Sequence, residues 1–525
     1  MFNLLLTFLV SASPQGHCAT PLFYNPMSAA EAGRTVVKKS ADPAKLGEKR
    51  LFWLQNMSVM PPQQVQAEMT CRALGKHCYV MVDDSSWNAG LVDSADAARI
   101  AERFDNSSPR DSSHGVWYHN TTNLGRPPDE IDSDSLIYLL YYNVGVFHGN
   151  QFDGFWQYFD EYYDTTSMRR WGYHSNEVEC VYLDLYPNNP SSDYRMAIAA
   201  HEFGHMIHWN YDPAESLWVN EGCAELAMWL FGSPDAISGF PSGSDNDLTR
   251  WTGSWSDYIK TYLYFLFIYG QYGGRVGNDS LIRNIVASPE ISIAGIDAGF
   301  AASGLPERFE DVLDQWVITH RLNDSTFAGG KYAYYGENVP LFAVAGFHST
   351  YPVTRNGTLN RWAGEYLMFQ QYRDLELIFD GADAADYHLF LLAKDSINHR
   401  WLLDTLALDS VQRVQVSLPR MDTAYQTVFL IPVSHYPYGQ QSYSYQATSV
   451  SIEEPGAPSP RSSGLPTLIR AGAMLELPAG ARLFDHLGRQ VPLRSLDIRH
   501  STFDIPAGIY FLTSNSGTSR IAVVE

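Results

Sequence analysis

Apolar and polar positions alternate with two different periods along this chain, and the period changes near residue 190. Before that point short runs of β-branched and aromatic residues lie between turn signals. HCYVMVDDS (77–85), GVWYHN (115–120), SLIYLLYYNVG (135–145) and VECVYLDLYP (178–187) read as strands. QVQAEMTCRAL (64–74), rich in helix formers, reads as a helix. From about 191 to 325 apolar residues recur at helical spacing, and several helices are expected. From Leu341 to Val450 the pattern turns to short strands: GEYLMFQQY, LELIFDG, YHLFLLAK, RVQVSLP, TVFLIPV and YSYQATSVSI. Such regular strands suggest an all-β sandwich. EEPGAPSPRSSGLP (453–466) has the composition of a linker, and strand patterning resumes from 467 to 525.

The expected architecture is therefore α+β and multidomain. A catalytic region at 20–330 has a sheet lobe to about 190 and a helical lobe after it. A β-sandwich follows at 340–452, then the linker, then a small immunoglobulin-like β domain at 467–525. A length of 525 residues fits such a division.

The first residues, MFNLLLTFLVSASPQGHCAT, carry an apolar run of signal-peptide length. A leader at 1–19 is expected, with Ser13 and Ala19 as alternative ends. No Lys or Arg precedes the run, unlike most leaders. Cys18 is expected to leave with the leader. No later segment is long enough to span a bilayer, TYLYFLFIYG (261–270) included. The net charge of −22 argues against nucleic-acid partners, which need clustered cations. Cys71, Cys78, Cys180 and Cys223 permit two disulfides in three pairings, or four buried thiols.

The chemistry is concentrated in SDYRMAIAAHEFGHMIHWN (192–210). Ser192 or Asp193 can cap this helix. Met196, Ala200, Phe203 and Ile207 share one face, while His201 and His205 lie one turn apart on another and can reach a single ion. Glu202 lies beside the pair, placed to touch a metal-bound water without ligating. Catalytic zinc takes three protein ligands plus water. Downstream, DPAESLWVNEGCAELAMWLFG (212–232) supplies a second helix, for which Pro213 suits the first position. If the two helices fold back on each other, Glu221 returns level with the histidines, about 12 Å along from Pro213. Glu225, one turn further, can then accept from the distal nitrogen of a ligating His. His208 is three residues past His205 with no helix-breaking glycine, so one straight helix cannot bring three imidazoles to one ion. It is expected to line the pocket or the surface.

HEFGH followed by NEGCAE resembles the gluzincin metallopeptidases, and the wording HEFGHMIHW…WVNEGCAEL looks most like the hyicolysin-type branch and its bacterial secreted relatives. The resemblance runs from about Cys71 to Asn323. It implies a thermolysin-like fold and Zn²⁺ on His201, His205 and Glu221, with Glu202 as general base and Glu225 orienting His201. The spacer of fifteen residues between His205 and Glu221 is shorter than in thermolysin or the zinc aminopeptidases. Tyr258-Ile259-Lys260-Thr261 is similar to the Tyr-x-Lys-Gly signature whose Tyr binds the tetrahedral intermediate, although the Gly is absent. A structural Tyr258 is as good a reading as a catalytic one. Tyr262 and His320 are weaker donors, His320 being expected at the surface. The strand at 178–186 is the expected edge along which a peptide would lie.

Calcium is conceivable at DEIDSDS (129–135), but the EF-hand glycine and closing Glu are missing, so a solvated turn is favoured. LFDHLGRQV…FDIPAGIYFLTSNSGTSRIAVVE resembles the C-terminal sorting domains of type IX secretion substrates. It lacks their usual basic residue near Ile521, apart from Arg520. The resemblance implies export from a Gram-negative bacterium through that machinery, with release or attachment at the surface. An ordinary immunoglobulin-like module is the alternative. The leading functional expectation is a secreted zinc endopeptidase acting on extracellular protein; the alternatives are an aminopeptidase-type exopeptidase and a non-enzymatic adhesin built on a peptidase fold. A monomer is favoured.

Overall fold

The computed structural model describes residues 18–27, 29–33, 42–59, 62–147, 149–186, 189–371, 373–418 and 424–449, and beyond these the strand backbones between 468 and 524. The expected leader up to residue 17 and the linker at 453–466 lie outside the described residues. The chain divides into two compact units, one ending at Ser451 and one beginning at Ile452.

The first unit opens with a six-stranded mixed sheet. Its strands are β1 (Lys49–Asn56), β2 (Gln63–Leu74), β3 (Cys78–Asp83), β4 (Ile137–Tyr142), β5 (Gly154–Phe155) and β6 (Cys180–Asp184), in the order β1-β2-β3-β4-β6-β5. β3, β4 and β6 run parallel, and β1, β2 and β5 are antiparallel to their neighbours. The parallel strands are almost wholly buried, as expected of strands covered on both faces.

Two elements differ from the sequence reading. The segment at 64–74 is a strand, paired with β1 from Lys49↔Thr70 to Asn56↔Gln63. Val65, Ala67, Met69, Cys71 and Ala73 alternate strictly with polar residues, and Met69, Cys71 and Ala73 are buried. Period-two alternation with a partner strand outweighs helix propensity here. The segment after Gly115 is a helix, Val116–Asn123, whose buried residues Val116, His119, Asn120 and Asn123 follow helical spacing. A short aromatic run does not by itself distinguish the two states.

The helical region follows the sheet. With Ser94–Asp105 as α1 and Val116–Asn123 as α2, the long helices are α3 (Asp193–Tyr211), α4 (Leu217–Phe231), α5 (Trp255–Tyr272) and α6 (Phe309–Leu322). No helix among the described residues is long and apolar enough to cross a membrane. α4 begins at Leu217 rather than Pro213. The Asp212 side chain accepts from the Ala214 N–H at 2.9 Å, which holds residues 212–216 as a turn.

Two antiparallel-rich sheets of four and five strands follow between Gly346 and Ser449 and pack around their own core of Leu359, Phe369, Leu377, Leu389, Leu430 and Tyr445. The five-stranded sheet also joins the main core through Tyr366, Phe390, Phe429 and Ile431. The second unit holds a five-stranded sheet, with Leu468–Arg470 parallel to Gly517–Val524, and a three-stranded sheet. The architecture is thus multidomain α+β: a mixed sheet, a helical middle and C-terminal β sheets.

Candidate metal centre

α3 is capped by Ser192, whose hydroxyl accepts from the Arg195 N–H and so satisfies one of the free donors of the first turn. Every residue from Arg195 to Trp209 is buried, so the helix runs through the core. Phe203 meets Phe104 of α1 and Trp117 of α2. The Asn120 amide of α2 donates to the Ala200 carbonyl at 2.7 Å and fixes the helix one residue before His201.

α4 folds back along α3. At their contact a Cβ on Gly204 would lie 3.4 Å from Ala224 Cα. Gly222 is required by its other neighbour, because a Cβ there would sit 2.3 Å from the Phe265 ring of α5. The glycine within NEGCAE therefore lets α4 press against α5 while Glu221 faces the histidines.

This packing brings the side chains together. Glu221 Oε2 is 3.3 Å from His201 Nε2 and 3.7 Å from His205 Nε2. The two Nε2 atoms are 3.0 Å apart. Glu225 Oε1 lies 3.3 Å from His201 Nδ1, and Asn220 Oδ1 lies 2.6 Å from His205 Nδ1. All of these side chains are buried. Asn220 was missed in the sequence; its signal is its position beside Glu221, on the same stretch of α4.

The arrangement has a chemical consequence. Each Nδ1 faces an acceptor oxygen and so carries its proton there, which leaves each Nε2 lone pair directed at the other. Two lone pairs at 3.0 Å repel unless a proton or a metal ion lies between them. Holding the distal nitrogen of each imidazole on an oxygen is also the usual way to orient metal-bound histidines. Cys18, His201, Glu202 and His205 further present one ligand atom each within 4.8 Å of one another. The nitrogen, oxygen and sulfur donors suit a divalent ion of the zinc class. The residues fit a metal.

Glu202 occupies a different position from Glu221. Its Oε2 accepts from the Thr20 hydroxyl at 2.8 Å and lies 3.6 Å from Cys18 Sγ. Burial pushes its carboxyl up to about 7, against the opposing pull of His201 and the Thr20 hydrogen bond. Gly154 of β5 abuts it: a Cβ there would come within 3.1 Å of Glu202 Cγ.

The remaining candidates are placed as follows. Tyr258 on α5 is buried and its O–H donates to the Cys18 carbonyl at 3.3 Å, beside the cluster. Tyr262 points away and donates to Glu337 at 3.2 Å. Lys260 is committed to Asp257 at 2.7 Å, Asn246 and the Arg250 carbonyl. His320 is not at the surface. It is a core residue, stacked on Phe342 and bonded through both ring nitrogens to Tyr366 and Tyr334. Burial pushes its pKa well down. His208 is buried outside the cluster, and burial alone lowers it to about 3. The expected edge strand is also corrected. β6 is paired on both sides, and the sheet edge beside the cluster is β5. Cys18, assigned to the leader from sequence, lies in the site. The five cysteines are free thiols, all buried.

No family model matches the chain, and no curated protein matches it. Twenty-three chains of solved structures match. One is a mitogen from Yersinia pseudotuberculosis, 16% identical, covering 20% of this chain and 91% of its own, with a TM-score of 0.15. Another is a family GH115 4-O-methyl-α-glucuronidase with specificity for decorated arabinogalactans, 8% identical, covering 60% of this chain and 51% of its own, with a TM-score of 0.14. Likenesses at this level carry no argument about fold or function.

Proposed function

We propose that this protein is a zinc-dependent endopeptidase acting on extracellular protein. The observation that carries the reading is the pair of imidazoles with opposed Nε2 atoms, each held from behind by an oxygen, with Glu221 alongside and a Glu202 carboxyl oxygen also within 4.8 Å of both. In this reading His201, His205 and Glu221 hold the ion. A bound zinc supplies Lewis acidity to a water and to the scissile carbonyl.

The rest of the chemistry belongs to the chain. Glu202 takes a proton from the attacking water and returns it to the leaving amine, a role suited to a carboxyl poised near neutrality. Tyr258 donates to the developing oxyanion; its O–H already holds a backbone carbonyl at 3.3 Å beside the cluster. Glu225 and Asn220 keep the imidazoles oriented. The edge of β5, where Gly154 now bridges to Cys18, is the place at which an extended peptide would add to the sheet.

The finer fold reading is a gluzincin catalytic region with thermolysin-like lobes, followed by a β-sandwich and an immunoglobulin-like module. It is supported by the order HEFGH…NEGCAE and by the return of α4 along α3. Export by a leader and a type IX sorting domain, with a secreted or surface-attached product, is supported by the sequence of residues 1–19 and 467–525. The test is digestion of a peptide library by the purified protein with and without a chelator. Internal cleavage abolished by chelator and restored by zinc supports the reading. Cleavage indifferent to chelator overturns it.

A further inference from the structure

We propose that residues 18–27 are a built-in inhibitory segment, folded into the substrate cleft with the Cys18 thiol as a fourth donor to the metal. The inference rests on the peptidase reading above and names the regulation of that site.

Every group which that reading needs for a substrate is taken up by this segment. Cys18 forms a parallel bridge with Gly154, and the Ala19 N–H donates to the Gly154 carbonyl at 3.0 Å. The segment therefore meets the sheet edge at Cys18 and turns into a short helix at Thr20–Phe23. Cys18 Sγ lies 3.6 Å from His205 Nε2 and 3.6 Å from Glu202 Oε2. The Thr20 hydroxyl donates to Glu202 at 2.8 Å and accepts from the Trp156 N–H at 2.8 Å, which orients it toward the base. The Tyr258 O–H holds the Cys18 carbonyl at 3.3 Å. Edge strand, base and oxyanion donor are thus all occupied by three consecutive residues, each buried.

The segment is anchored beyond the site as well. Phe23 packs on Phe155 at 5.2 Å and on Phe159 and Tyr173. The Tyr24 O–H donates to the Glu215 carbonyl, and the Met27 N–H donates to the Pro213 carbonyl at 2.9 Å, in the turn between α3 and α4. An extended peptide cannot occupy the edge while these contacts stand. Coordination takes the thiolate, with the thiol proton released to solvent and no change of oxidation state. A leader ending at Ser13 leaves Cys18 in the exported chain, and one ending at Ala19 removes it.

The test uses the full chain reconstituted with cobalt(II), whose thiolate complexes absorb strongly in the near ultraviolet. The wild-type chain is expected to bind cobalt with the thiolate band. Cys18→Ala and Cys18→Ser are expected to bind cobalt without it, and to cleave peptides at least about tenfold faster as zinc proteins. The Ser variant keeps the side-chain size should Ala disturb folding. Cobalt bound with identical spectra in wild type and both variants overturns this inference and leaves the peptidase reading standing. No cobalt bound by any of the three overturns both.

Discussion

Among the described residues, two clusters combine a pair of histidines with a carboxylate, and they turn the same groups in opposite directions. At the candidate metal centre the carboxylate and amide oxygens hold the outer Nδ1 atoms, and the inner Nε2 atoms of His201 and His205 converge at 3.0 Å. In the second cluster Asp314 of α6 takes His388 Nδ1 at 2.6 Å on one oxygen and His435 Nε2 at 2.8 Å on the other, while the two rings stack at 3.7 Å. These contacts turn the ring nitrogens onto the carboxylate oxygens. The first cluster is wholly buried; in the second, the His388 side chain is 44% exposed. Residue type and proximity therefore do not distinguish a metal site from a structural ion pair. Both groups have the donors to hold an ion, and they differ in the direction of their imidazole nitrogens.

Substitutions in the two clusters should diverge accordingly. Glu202→Gln is expected to lower the peptide turnover number by about 10²–10⁴-fold while metal content stays unchanged. Asp314→Asn should leave turnover within about twofold, since it touches neither base nor ligands. Steady-state assays on both variants, normalised to bound zinc, compare them. Equal losses would erase the distinction drawn here.

Asn220→Ala is expected to weaken metal affinity by about 10–100-fold, because His205 loses the oxygen that fixes its ring. Competition with a chromophoric chelator measures it. An unchanged affinity would mean that the Asn220 contact is packing rather than orientation.

The smallest effect concerns the second cluster and depends on pH. The Asp314 hydrogen bond and burial act on His388 in opposite senses, the bond dominating, and its pKa rises. Burial pushes Asp314 up, but the bonds from His388 and His435 outweigh it and hold Asp314 below the usual carboxylate range. A raised histidine contributes stability that is full below its unfolded value, about 6.5, and is lost as pH rises through the folded pKa. A depressed carboxyl contributes stability above about 3.8 that is lost as pH falls through its folded pKa. The pair therefore stabilises most between about pH 4 and pH 6.5. Thermal scans should show His388→Ala lowering the midpoint more at pH 6 than at pH 9. A deficit that is flat with pH would assign the contact to packing.

Much of the core site was legible in the sequence because helical geometry is local. The four-residue spacing of His201 and His205 places both imidazoles on one face wherever the helix sits. The approach of Glu221 needed only the lengths of two helices and a turn. Other features were not local. The strand at 64–74 declared itself by alternation, yet its partner β1 lies outside any short window. The true sheet edge depends on two residues, Gly154–Phe155, too short to register as a strand signal. Tyr258, Tyr262 and His320 are each a buried ring in a tyrosine-rich helical region, and only their partners tell them apart. Cys18 carried no signal beyond the alternative leader end at Ser13.

The central claim is that His201, His205 and Glu221 together retain a divalent ion. Elemental analysis of the purified wild-type and Glu221→Ala chains, after dialysis against a weak chelator, tests it most directly. The account predicts one zinc per wild-type chain and a large deficit in the variant. A wild-type chain that emerges without metal, or a variant that keeps a full complement, would contradict it.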